Sequence, residues 1–134
     1  MNGSVATEKI IPWSCPVPVF GDSSRAIVAT LGLNPSKREF VDDAGVELEG
    51  PRRRLHTLKS LELTRWSDAT TRHVEQIDNA CREYFSLNPY HGWFRSLDAI
   101  LAGAGFTYYG ARANACHLDL IPYAGAIGPP FFIA

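Results

Sequence analysis

Ala26-Ile27-Val28-Ala29-Thr30-Leu31-Gly32-Leu33-Asn34-Pro35-Ser36 is the stretch on which the fold turns. Its first eight residues are small or apolar on both parities. A strand covered on both faces has this composition, and such strands belong to parallel sheets. Asn34-Pro35 stops the run, because proline lacks an N–H and restricts the residue before it. In open α/β sheets, ligands bind beyond the carboxyl ends of the strands. The stretch therefore predicts a buried parallel strand with a functional loop at its end. A plain turn after a strand would carry the same two residues.

Upstream, residues 1–24 read as a loose extended arm. Pro12, Pro16 and Pro18 forbid a regular helix, and Pro16-Val17-Pro18-Val19-Phe20 suits a strip laid on the surface. Downstream, residues 36–54 are loop-like and split in charge. Asp42, Asp43, Glu47 and Glu49 come first; Arg52, Arg53, Arg54, His56 and Lys59 follow. Gly50-Pro51 predicts a short helix through about Leu61. Val74, Ile77, Cys81 and Tyr84 predict a second helix over about 70–85, capped by Ser67 or Asp68. Trp93, Phe94, Leu97, Ile100 and Leu101 predict a third over about 90–102, ended by Gly103 or Gly105.

Thr107-Tyr108-Tyr109 reads as a short strand. Residues 113–123 read as a second buried strand, with Asn114, His117 and Asp119 as its polar exceptions. Residues 125–134 form an irregular apolar tail, which leaves 25–124 as the domain.

The 134 residues fit one domain able to bury a core without staples, and a formal net charge of −1 gives no global basic field. A local basic patch could still meet a polyanion. Cys15, Cys81 and Cys116 are odd in number and far apart, which suggests neither disulfides nor a metal set and points to a reducing, cytoplasmic setting. No run approaches the roughly 18 apolar residues of a membrane span.

Gly32-Leu33-Asn34-Pro35-Ser36 resembles the first signature motif of the uracil-DNA glycosylase superfamily. The mismatch-specific and single-strand-selective branches carry Gly-x-Asn-Pro-Gly at the end of their first core strand. The likeness extends loosely over 25–123. Pro51 and Arg54 are similar to a Pro-x-x-Arg helix start in the mismatch-specific branch. Asp119-Leu120-Ile121-Pro122 is similar to a base-recognition strand of the single-strand-selective branch, where asparagine takes the place of Asp119.

The resemblance implies a three-layer α/β/α fold with a central parallel sheet. It implies a bacterial-type hydrolase that cleaves the N-glycosidic bond of uracil or a related deaminated base in DNA, with no cofactor and no metal. The partner would be DNA with a flipped base, since a stacked base is out of reach. Asn34 would orient the attacking water beside an oxocarbenium-like state. Gly32 and Leu33 would line the base site. Phe40 would stack on the base, or Leu48 if the alignment is set on Pro51. Pro35, Ser36, Arg52, Arg53 and Arg54 would meet phosphates.

Asp119 or Asn114 would read the base. An asparagine amide complements the donor–acceptor edge of uracil, whereas an ionised aspartate only accepts, so Asp119 implies either a base with an exocyclic amine or a protonated carboxyl. His117 could stabilise a departing base, or be a hydrogen-bonded strand histidine. Trp13, Trp66 and Trp93 read as core or edge aromatics. Asn88-Pro89-Tyr90-His91 echoes a motif of another branch but follows no buried strand; Asn88 reads as a cap, and Tyr90 and His91 as surface or packing residues.

The superfamily's second motif, His-Pro-Ser or a close variant, has no counterpart here. None of His56, His73, His91 and His117 precedes Pro-Ser. Two strands also make too small a sheet. These two points predict a C-terminally incomplete domain, and they raise a non-catalytic remnant that binds DNA or a nucleobase weakly as the alternative.

Overall fold

The computed structural model describes residues 10–125. The expectations for residues 1–9 and for the tail from 126 onward lie outside the described residues. Among the described residues the chain is mixed helix and strand. Strands β1 (Val28–Gly32) and β2 (Ala115–Asp119) pair in parallel, with Val28 opposite Ala115 and Gly32 opposite Asp119. Helices α1 (Thr71–Arg82) and α2 (His91–Ala102) lie between them in sequence. Short 3-10 turns occur at Lys37–Glu39, Gly50–Arg52, Trp66–Asp68 and Tyr84–Ser86.

The N-terminal strip is part of the core, which corrects the expectation of a loose arm. Cys15, Val17 and Phe20 are buried. Cys15 N donates to His56 O and Val17 N to Pro122 O. Phe20 exchanges both backbone hydrogen bonds with His117 as an antiparallel bridge, so β2 is flanked on both sides. The prolines exclude helix but not this arrangement: Pro16 and Pro18 have no N–H to satisfy, and the residues between and around them supply the donors. Gly21 then turns the chain at φ +102°, and a Cβ there would lie 3.2 Å from the Phe85 ring.

β1 is not covered on both faces. Ala29 is exposed, and Ile27 just before the strand is 75% exposed. The apolar run reported a strand but not how many layers cover it. The predicted helix from Pro51 is only the 3-10 turn Gly50–Arg52. Its charged side chains reach acids earlier in the loop instead of lining a helix face. Thr107–Tyr109 is not a strand either. Asp98 on α2 accepts from Thr107 Oγ1 at 2.9 Å and Tyr108 N at 2.8 Å, which holds the segment as an irregular loop.

α1 is capped by Thr70 rather than Ser67 or Asp68, in a box where His73 Nδ1 accepts from Thr70 N at 3.0 Å. Ile77 and Cys81 are its buried face; Val74 is half exposed, so the apolar stripe is narrower than the spacing predicted. α2 buries Phe94 and half-buries Leu97 and Leu101, while Ile100 faces solvent. The centre of the molecule is an aromatic nest of Phe20, Tyr84, Phe85, Phe94 and Tyr108. Phe85 stacks on Tyr108 at 4.7 Å, and Phe94 meets the His117 ring edge-on at 5.4 Å. Among the described residues no helix is long and apolar enough to cross a membrane.

Candidate functional site

The parallel pairing continues past the strands proper. Leu120 N donates to Gly32 O, and Ile121 N donates to Leu33 O at 2.8 Å. Asn34 and the Asp119–Ile121 segment therefore share one edge, the carboxyl end of the sheet.

Four side chains form one hydrogen-bonded row leading to this edge. Tyr108 OH lies 2.6 Å from Thr30 Oγ1, Thr30 Oγ1 lies 2.7 Å from His117 Nδ1, and His117 Nε2 lies 3.0 Å from Asp119 Oδ1. A carboxylate at Asp119 is an acceptor, which matches the His117 tautomer that carries its proton on Nε2. Nδ1 then accepts from Thr30, and Thr30 accepts from Tyr108. Thr30 Oγ1 also lies 3.5 Å from Cys116 O, a second acceptor for its hydroxyl. The side chains of His117 and Asp119 are 2% and 3% exposed.

Thr30, His117 and Asp119 repeat the order nucleophile, base, orienting acid. The Thr30 hydroxyl is engaged by Tyr108 OH at 2.6 Å as well as by His117. The row orients Asp119 and His117; it is not a nucleophilic triad.

Gly32 is where the row meets the backbone. A Cβ at Gly32 would fall 2.5 Å from Asp119 Oδ1 and 2.9 Å from His117 Nε2. Only glycine leaves room for the pair. Asn34 is half-buried, and its Nδ2 donates back to Pro35 O at 2.9 Å. Ser36 caps the following turn, its Oγ accepting from Arg38 N at 3.1 Å. Pro35 is buried, and its carbonyl also accepts from Gly125 N.

That turn drives Glu39 and Phe40 inward, both 1% exposed. Phe40 sits edge-on to Trp13 at 6.5 Å in the core, so it offers no face to a base. Leu48, its alternative, is buried as well. Both stacking assignments are corrected on this ground: the turn at Lys37–Glu39 rotates the aromatic away from the rim.

Glu39 is a residue that the sequence reading missed. Tyr84 OH donates to its Oε1 at 2.6 Å, and Tyr90 N donates to Tyr84 OH at 2.8 Å. Burial pushes the Glu39 carboxyl up to about 7, against the Tyr84 hydrogen bond and the Arg54 charge, which lower it; the Asp119 charge adds to the rise. A single acid between Arg38 and Phe40 looks like any solvated charge, so no pattern in the sequence singles it out.

The basic cluster is largely consumed by the acids that precede it. Arg52 pairs with Asp42 at 3.1 Å, Arg53 with Glu47 at 3.1 Å, and Lys59 with Glu49 at 2.6 Å. Glu47 also accepts from the buried Thr57 hydroxyl at 2.7 Å. Arg52 and Arg53, expected to meet phosphates, are thus each engaged by an acid within the loop. Arg54 differs: it donates to Asn88 O at 2.6 Å and makes no salt bridge among the described residues, although its charge acts on the buried Glu39.

Asn114 lies at the amino end of β2, remote from Asp119. Its Oδ1 accepts from Thr107 N at 2.9 Å and its Nδ2 donates to Gly105 O. Of the two candidate base readers, only Asp119 shares the edge with Asn34. Asn88 does not cap α2, whose N-cap is Tyr90; its amide donates to Arg52 O at 2.8 Å. A depression of about 220 Å³ opens at the amino end of the strands, lined by Gly21, Arg25, Tyr108 and Ala115 among others. It is not part of the carboxyl edge. Among the described residues, no group of three or more His, Cys, Asp and Glu side chains could hold a metal ion.

No family model, curated protein or solved structure matches the chain.

Proposed function

We propose that this chain carries a DNA glycosylase-like site, which cleaves the N-glycosidic bond of uracil or a related deaminated base. The observation that carries the reading is the juxtaposition of Asn34 with the His117–Asp119 pair at the carboxyl edge of parallel strands, across a Gly32 that admits no Cβ. In this reading Asn34 orients water behind the sugar carbon, and Asp119, whose side chain is buried against His117, reads the base only once that pair is uncovered. The setting is cytoplasmic and bacterial-type, with DNA as partner and no cofactor.

The same reading takes the parallel pair as part of a three-layer α/β/α fold. What supports a further layer is the apolar surface left along the strands: Ile27 is 75% and Leu120 64% exposed.

The test is strand scission by alkali after incubation with a uracil-containing oligonucleotide. Scission that is mostly lost in Asn34→Ala is the expected result. No scission, under conditions where an authentic glycosylase cuts, ends the enzymatic reading.

A second reading is a non-catalytic domain that binds DNA or a nucleobase weakly. The observation favouring it is that Arg52 and Arg53 are neutralised and Phe40 is in the core. Binding of the oligonucleotide without scission would select it.

A further inference from the structure

Tyr90 presents a shelf that none of the roles above uses. Two guanidinium groups lie over its ring, Arg54 at 5.4 Å and Arg38 at 5.7 Å from the centroid. The shelf is held from below, where Tyr90 N donates to Tyr84 OH and that hydroxyl donates to Glu39. It lies beside the loop that begins at Asn34, because Arg38 belongs to the turn capped by Ser36.

Both arginines keep an unmet donor. Arg38 Nε and Arg54 Nε are buried and have no hydrogen-bond partner. A buried N–H left unpaired destabilises the fold unless something accepts from it. Arg53 Nε is in the same condition, but that side chain is held by Glu47. Arg54 makes no salt bridge among the described residues, although its charge acts on the buried Glu39, and Asp43, the partner of Arg38, is 90% exposed and screened by solvent. Both guanidiniums lie within 5.7 Å of one ring centroid, each with an open donor, and an anion that reaches both would offset their mutual repulsion. Guanidinium groups match the geometry of phosphate oxygens, and the ring offers a face on which a sugar or base can rest.

We propose that Arg38 and Arg54, on the Tyr90 shelf, bind a phosphate group, and that its source is a phosphodiester of a nucleic-acid strand. The choice of a strand rests on the glycosylase-like reading; the phosphate chemistry does not.

The experiment reads binding rather than cleavage. A labelled single-stranded oligonucleotide without uracil is titrated with the full chain across a salt series, followed by fluorescence anisotropy. Arg38→Gln and Arg54→Gln are each expected to weaken binding by about tenfold and to lower the salt slope by about one. Arg54→Lys keeps the charge without Nε, and should lose affinity while keeping the slope. Arg52→Gln makes the same charge change on a side chain already held by Asp42, and should stay within about twofold. In the unmutated chain, inorganic phosphate should shift the arginine Nε–H resonances of Arg38 and Arg54, and chloride at equal ionic strength should not.

If phosphate leaves those resonances unmoved, or if Arg52→Gln weakens binding as much as Arg54→Gln, the site is overturned. A phosphate response without oligonucleotide binding supports the anion site and assigns it to a small phosphorylated ligand, which overturns the strand as its source. Absence of uracil excision affects none of these outcomes.

Discussion

Asp119 Oδ1 stands where the β-carbon of residue 32 would have to be, 2.5 Å from the position that an alanine methyl would take. The two residues are partners in the parallel register, so neither can retreat without breaking the ladder. His117 Nε2, at 2.9 Å from the same point, closes the other side. The glycine of the motif is thus required by the side chains of the opposite strand.

Gly32→Ala tests this relationship. The methyl must displace the His117–Asp119 pair from a site where both side chains are almost fully buried. Overpacking of this kind costs about 1–3 kcal/mol. A urea titration should show the midpoint fall with the slope unchanged. An unchanged midpoint would mean that the pair moves aside freely.

Thr30 is the middle of the hydrogen-bonded row, and its hydroxyl both accepts and donates. Thr30→Val keeps the shape but leaves Tyr108 OH and His117 Nδ1 without a partner. Each orphaned buried group costs about 1–3 kcal/mol, so the loss in thermal or chemical denaturation should exceed that of Thr30→Ser, which keeps the hydroxyl. Nitrogen NMR of the imidazole should report the Nε2–H tautomer in the unmutated chain and a change in Thr30→Val. Equal stability of the two variants would remove Thr30 from the row.

Glu39 makes stability depend on pH, and the sign is the reverse of an ion-paired acid. Its folded value, about 7, lies above its ordinary 4.5. Between these values the folded state holds more protons than the unfolded one, so stability falls as pH rises. The contribution is complete below about 4.5 and is lost through about 7. Its size is on the order of 3 kcal/mol, at about 1.4 kcal/mol per pH unit. The groups that face it are the neutral Tyr84 hydroxyl and the charges of Arg54 and Asp119. Glu39→Gln keeps the acceptor for Tyr84 and should flatten the profile between pH 5 and 7, relative to the unmutated chain. Parallel profiles for the two proteins would disprove the assignment.

The loop pairs differ in burial and should differ in strength. Arg52 is 62% exposed in its pair with Asp42, so Arg52→Gln should change stability by less than about 1 kcal/mol. Glu47 is 21% exposed, pairs with Arg53 and accepts from the buried Thr57 hydroxyl. Glu47→Ala strands both donors and should cost about 1–3 kcal/mol. Equal effects in a denaturant titration would show that burial does not separate the two.

Much of the frame was legible in the chain. The run from Ala26, the strand around His117 and both α-helices follow from patterns that a single segment contains. Apolar spacing and a terminating glycine act over a few residues, so they survive without knowledge of the partner. The N-terminal strip was misread for the opposite reason. Its prolines exclude helix, but whether an extended strip lies on the surface or in the core depends on the donors and acceptors opposite it, here His56, Pro122 and His117.

The candidate site divides in the same way. Asn34, His117 and Asp119 could be picked out as polar residues at the ends of apolar strands. Which of Asn114 and Asp119 stands beside Asn34 was decided by the parallel register, since the two lie at opposite ends of β2. Phe40 and Glu39 were decided by one 3-10 turn, which rotates both inward. The fate of the arginines was decided by loop closure, which brings each of two guanidiniums within 3.1 Å of an acid and leaves Arg54 over a ring. The chain by itself determined the two paired strands, the two α-helices and where a loop leaves the sheet, because those are short-range properties, but not the segments at 51–61 and 107–109, whose charged and polar groups are held by distant partners. Only the tertiary structure decided which polar groups meet, because hydrogen bonds and ion pairs depend on distances between residues far apart in sequence.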